Sequence, residues 1–189
     1  MASIAIVYHS GYGHTQRQAQ AVAEGAGASA RLIAIDAEGN LSDADWQAVG
    51  AADAIVFGSP TYMGGPSWQF KKFADTSSKA WFTMAWKNKI AAGFTNSATL
   101  NGDKFSSLMY MFTLSQQHGM VWVGMGMQGP NAKHHTRDDL NNLGGYSGLI
   151  TTTPSDASPD EMVPGDLATA RAFGQRIADV TARIGTALR

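Results

Sequence analysis

The chain has 189 residues, enough for one sizeable core, and 44% of them are apolar against 15% charged, a globular composition far from that of disordered polymers. With 14 Lys and Arg against 15 Asp and Glu, the net charge of -1 offers no basic stripe for the phosphates of a nucleic acid. There is no cysteine, which excludes disulfides, thiolate metal sites, iron–sulfur clusters and cysteine nucleophiles; redox chemistry would need a bound cofactor.

Met1 to His9 lacks the basic flank and cleavage site of a signal peptide. No stretch approaches the roughly 20 apolar residues that span a bilayer. The expectation is a soluble, cytoplasmic protein forming one domain over residues 1–189, with neither nucleic acid nor membrane as partner.

In chain order, Ser3 to His9 is a short run of branched apolar residues, as expected of a strand buried on both faces. Thr15 to Ala26 places Ala19, Val22, Ala23 and Ala26 at helical spacing. Arg31 to Asp36 predicts a second strand, Asp43 to Val49 a short helix, and Asp53 to Gly58 a third strand. Ser59 to Pro66 follows as a loop whose prolines and glycines argue against regular structure. Trp68 to Asp75 predicts a helix, Lys89 to Thr95 a fourth strand, Lys104 to His118 a helix, and Met120 to Val123 the start of a fifth strand. Gly124 to Gly148 is a glycine-rich insertion before Leu149 to Thr152 resumes an extended run, and Pro164 opens a closing helix through Leu188. Strands alternating with helices imply right-handed crossovers and a parallel sheet covered on both faces. Ligands of such sheets sit beyond the carboxyl ends of the strands, which directs attention to three loops.

The first loop, Ser10-Gly11-Tyr12-Gly13-His14-Thr15, combines hydroxyls, glycines and a helix N-terminus, all of which suit a phosphate. An ordinary capped turn accounts for the same letters. A Walker loop is excluded because Gly13 is followed by His14, where that motif needs lysine; a dinucleotide fingerprint falters at Gln16, where its third glycine belongs. The second loop, running from Ser59 through Pro60, Thr61, Tyr62, Met63 and Gly64 to Pro66, can lay backbone and an aromatic against a planar heterocycle. The third, Thr95-Asn96-Ser97-Ala98 and onward to Gly102, is dense in small donors and acceptors suited to polar ring edges. Together they describe a neutral site for a phosphate and a flat polar ring.

Tyr8 to Thr15, Gly58 to Tyr62 and His118-Gly119-Met120 resemble the WrbA-type NAD(P)H:quinone oxidoreductases, a flavodoxin-like FMN-binding family. The resemblance implies an α/β, doubly wound, five-stranded parallel sheet of order 2-1-3-4-5 with helices on both faces. It implies FMN as cofactor, NAD(P)H as co-substrate, a quinone as acceptor, and a homodimer or homotetramer. The alternative is a flavodoxin-like electron carrier or a non-catalytic FMN-binding regulator. By resemblance, Ser10 to Thr15 hold the phosphate, Pro60 to Gly64 the ring, and Thr95 to Ala98 the pyrimidine edge and ribityl chain. The family's aromatic and histidine over the flavin match Trp81 and His118, the expected walls of the acceptor pocket. A histidine preceding Gly119 equally suits a helix C-cap, and Trp81 lies in an aromatic cluster suited to core or interface. The apolar residues Trp81, Phe82, Trp86, Met125 and Met127 are candidates for a subunit contact. In place of the family's Gly-Gly-Asp-Gly-like turn stands Thr152-Thr153-Pro154-Ser155-Asp156. His134 and His135, adjacent in sequence, are poorly placed to chelate one ion, and no metal site is expected.

Overall fold

The computed structural model describes residues 2–184. Strand β1 (Ile4–Tyr8) is buried along its whole length and pairs in parallel with β2 (Ala30–Ala34) on one side and β3 (Ala54–Tyr62) on the other. Beyond β3 lies β5 (Ile90–Ser97), again parallel. The outermost position is filled by two pieces: β6 (Val121–Trp122) against the first half of β5 and β7 (Leu149–Thr152) against its second half. Val121 faces Ile90 and Leu149 faces Phe94, so the partner offset steps from 31 to 55, and 24 residues are looped out of a single fifth strand. The order 2-1-3-4-5 is thus present, its last strand divided. The neck of the insertion is closed by a hydrogen bond from Met125 N–H to the Tyr146 carbonyl at 3.0 Å.

Side-chain alternation along β1 separates two cores. Ile4, Ile6 and Tyr8 face helices α1 (His14–Ala26) and α6 (Pro164–Ile184), whereas Ala5 and Val7 belong to the opposite layer. That layer contains α2 (Asp43–Ala51), α3 (Trp68–Thr76), the short α4 (Ser78–Trp81) and α5 (Lys104–Gln117). Its centre is aromatic: Phe57, Phe70, Phe73 and Trp86 lie with ring centroids 5.6 to 6.5 Å apart, each such pair adding about 0.5–1.5 kcal/mol beyond area burial. Ser42 caps α2 by accepting from Asp45 N–H, and Ser67 caps α3 by accepting from Phe70 N–H. Residues 185–188 of the expected closing helix fall outside the described residues. None of the described helices is long and apolar enough to cross a membrane.

One expectation is corrected. Residues 59–66 are not irregular: β3 continues through Pro60 to Tyr62, and Gly65–Pro66 folds back on it as β4, pairing Tyr62 with Gly65. The two turn residues, Met63 and Gly64, have φ of 48° and 76°, the left-handed values of a tight hairpin whose twist matches its strands. Pro60 is tolerated because the pairing of β3 with β1 has already ended at Gly58, so no ladder bond is lost on the side its missing N–H would face.

Candidate functional site

A cavity of about 220 Å3 opens at the carboxyl edge of the sheet. Tyr12, His14 and Thr15 line it from the first loop, Pro60, Thr61 and Tyr62 from the end of β3, and Asn96, Ser97 and Ala98 from the end of β5. The three loops singled out in the sequence therefore meet around one space. Two further lining residues, Thr153 and Ser155, come from the turn after β7. That turn stands out in the sequence as a departure from the family pattern, but nothing local tells that it joins the site; only the pairing of β7 with β5, which sets Thr152 opposite Ser97, brings it there.

The first loop has the backbone features that suit an anion. Gly13 is the N-cap of α1 with φ 87°, a conformation open to glycine and costly for other residues. Ser10 Oγ accepts from Gln16 N–H at 3.1 Å, and Arg17 N–H bonds to the Gly13 carbonyl. The N–H groups of Gly11 through Thr15 donate to no acceptor among the described residues, leaving five free donors around a helix N-terminus. His14 Nε2–H donates to the Ala157 carbonyl at 2.7 Å, tying the cradle to the turn that carries Thr153 and Ser155. A methyl group added at Gly11 would lie 2.5 Å from Tyr62 Oη, so the Tyr62 ring closes over the cradle from the neighbouring loop. Tyr12 and Tyr62 meet edge to face at 6.2 Å.

The ring-side loops are braced from beneath. Thr95 and Thr61 share a 2.8 Å hydroxyl contact, and Thr61 Oγ1 donates onward to Ser107 Oγ at 2.7 Å, so Thr95 supports the floor without lining the cavity. Asn96 Nδ2 donates to Thr153 Oγ1 at 3.0 Å. Gln18, a residue to which the sequence draws no attention, donates from Nε2 to the Thr95 carbonyl at 3.1 Å and locks α1 to the third loop. Burial raises the Tyr62 phenol pKa, with a smaller contribution from Tyr12, so Tyr62 stays a hydrogen-bond donor at neutral pH. Met63 and Gly64 form the hairpin tip outside the lining, with Met63 fully exposed.

His118 and Trp81 are not brought to this cavity within the chain. A crossover helix returns antiparallel to its strands, so α5 starts at the carboxyl edge and delivers His118 to the opposite edge, where β5 begins. There His118 is 1% exposed, its ring 4.2 Å from that of Trp86. Ser77 Oγ donates to the Ala74 carbonyl and accepts from His118 Nε2–H at 2.9 Å, which places the imidazole proton on Nε2. Burial lowers the His118 pKa. Trp81 ends α4 at that same edge, partly exposed and edge-on to the exposed Phe82. Of the residues considered for a subunit contact, Trp86 and Met125 are buried within the chain.

A flavodoxin-like sheet with a neutral phosphate cradle and a ring slot at its carboxyl edge defines a flavin mononucleotide protein. Residues 10–148 match the NADPH-dependent FMN reductase family, to which the chain belongs as a WrbA-type, flavodoxin-like member. It is 50% identical over 180 residues to flavodoxin FldP of Pseudomonas aeruginosa, covering 95% of this chain and 97% of that one. It is 32% identical over 207 residues to an NAD(P)H dehydrogenase (quinone) of Geobacter sulfurreducens, covering 96% and 98%. The crystal structure of a flavodoxin, WrbA-like protein from Agrobacterium tumefaciens superposes with a TM-score of 0.79 at 50% identity, covering 97% and 99% of the two chains. FMN is the cofactor of this family, and the donor set fits it: the amides and hydroxyls of the first loop would face the phosphate, and Pro60 to Tyr62 with Asn96 to Ala98 would face the ring.

Proposed function

We propose that the chain is an FMN-dependent oxidoreductase that moves a hydride from NAD(P)H through FMN to a quinone or a similar planar acceptor. FMN, when bound, supplies the two-electron chemistry, and the protein supplies orientation and exclusion of water. The observation that carries the reading is the character of the cavity mouth. Tyr12 is 66% exposed and Tyr62 38%, both line the opening, and no Lys, Arg, Asp or Glu does. Such a mouth suits a flat, weakly charged small molecule, whereas a carrier that docks on protein partners needs charge to steer and register them. Tyr12 and Tyr62 offer edges and faces to the acceptor, and the Tyr62 hydroxyl can donate to an acceptor oxygen as it gains charge. The hydroxyl series Thr95, Thr61, Ser107 holds the second loop in position beneath them.

The 50% identity to a protein named a flavodoxin supports a second reading, an electron carrier. Steady-state oxidation of NADPH and NADH with benzoquinone, using protein saturated with FMN, separates the two. Turnover with both substrates alone supports the enzyme; flavin reduction only in the presence of a partner reductase supports the carrier. Exposed Trp81 and Phe82 favour a homo-oligomer, which sedimentation tests: a clean monomer at micromolar concentration rejects it.

A further inference from the structure

A larger cavity, about 680 Å3, opens on the other side of the 97–101 loop, and no residue lines both spaces. Phe105 and Leu108 of α5 and Ile150 of β7 line one side, and the looped-out segment supplies Leu143 and Tyr146. That segment is firmly anchored: Arg137 Nη2 reaches Asp166 Oδ2 at 2.9 Å, and Asn141 N–H donates to Thr169 Oγ1 at 2.8 Å. A volume of this size is typical of sites for small organic molecules, which fall in the range of about 300–1,000 Å3.

The charges beside the cavity do not balance. Lys104 and Arg137 both line it, while Asp166, 3% exposed, is the carboxylate that acts on them. Asp166 is spent on Arg137 and on Thr152 N–H. Lys104, 1% exposed, directs its ammonium at the carbonyls of Thr99, Leu100 and Asn101 and meets no carboxylate. One positive charge is therefore left in excess beside a half-open cavity of mixed lining, an imbalance that a bound anion would offset. Burial lowers the Lys104 pKa from 10.5 to about 8, with Asp166 offsetting part of the effect and Arg137 adding to it, as expected of a cation without a counter-ion. The Arg137 guanidinium has five donors, of which the contacts to Asp166 and Asn142 take two.

We infer that this cavity is a second ligand site, taking an amphipathic monoanion: a compact aromatic or aliphatic body against Phe105, Leu143 and Tyr146, with a carboxylate turned to the free donors of Arg137 and the Lys104 charge adding to the attraction from behind the 99–101 carbonyls. It is separate from the flavin site and independent of the reaction catalysed there.

The test is calorimetric titration of FMN-saturated protein with 2-naphthoate and, in parallel, with the uncharged 2-naphthalenemethanol. Naphthoate should bind at one site, and the alcohol about tenfold more weakly, the worth of a charge-assisted contact. Lys104→Met should shrink that preference, and Leu143→Trp, which fills the space, should abolish naphthoate binding while FMN affinity and Tm stay near those of the wild type. No naphthoate binding, equal affinity for acid and alcohol, or unchanged binding in Leu143→Trp each overturns the assignment. So does naphthoate binding that FMN competes away, since the acid would then occupy the flavin cavity.

Discussion

The rings of His118 and Trp86 lie 4.2 Å apart, tilted by 33°, inside the aromatic core at the edge of the sheet opposite the flavin cavity. His118 is packed into this core, so its removal should be felt in stability. His118→Ala is expected to cost about 2–4 kcal/mol by opening a cavity and leaving Ser77 without its donor, while FMN affinity changes by less than about twofold. Urea unfolding and flavin fluorescence titration on the same variant check both halves.

Acid should destabilise the fold through the same group. Burial lowers the pKa of His118 and of His9 below 6.5, whereas both titrate near 6.5 once unfolded. As pH falls below 6.5 the unfolded chain takes up protons that the folded chain refuses, so stability is complete above that value and lost beneath it. The slope of unfolding free energy against pH between about 7 and 5 should be positive and should shrink in His118→Gln.

The phosphate cradle has no formal charge, which separates it from sites built on lysine or arginine. FMN affinity should therefore change little between low and moderate salt, because amide and hydroxyl donors at short range are weakly screened. Ser10→Ala and Thr15→Ala should each weaken FMN by roughly 1–2 kcal/mol. Gly13→Ala should do more, since φ of 87° strains any side chain and the new methyl would lie 2.7 Å from the Pro159 ring. Equilibrium titration at about 20 and 200 mM salt measures all of these, and a steep salt dependence would contradict a neutral cradle.

Tyr62 spans both halves of the site, so its loss should register in two readouts. Tyr62→Ala is expected to raise the quinone KM several-fold and to loosen FMN by about 1 kcal/mol, with Tyr62→Phe restoring the second more than the first. If Phe and Ala behave alike toward quinone and both retain wild-type FMN affinity, the ring is a bystander.

Much of this arrangement could be read from the letters. The alternation of runs such as Ile4–Tyr8 and Ala54–Phe57 with helical spacing fixes the class of sheet, and small residues clustered after each strand mark where its ligand sits. What the letters did not carry were direction and register. His118 ends a recognisable helix, but which edge of the sheet it reaches depends on the antiparallel return of α5, and Met63-Gly64 resembles loop chemistry until the pairing of Tyr62 with Gly65 shows a hairpin. Lys104 is a good helix residue at a helix start, and no local pattern tells that the 99–101 carbonyls fold over its ammonium. Thr153 and Ser155 join the cavity through pairing across more than 50 residues, beyond the reach of any window.

The divided fifth strand makes the molecule a natural graft point. Its two pieces stay in register on β5, and the neck between Met125 and Tyr146 is already closed, so the residues looped out beyond that neck can be exchanged without asking the sheet to rearrange. Doubling the length of such a loop adds only about 0.6 kcal/mol of closure entropy. A reporter or binding module spliced in at that neck would stand next to the 97–101 loop, coupling whatever it senses to the wall of the flavin cavity while the sheet and cradle remain a fixed chassis.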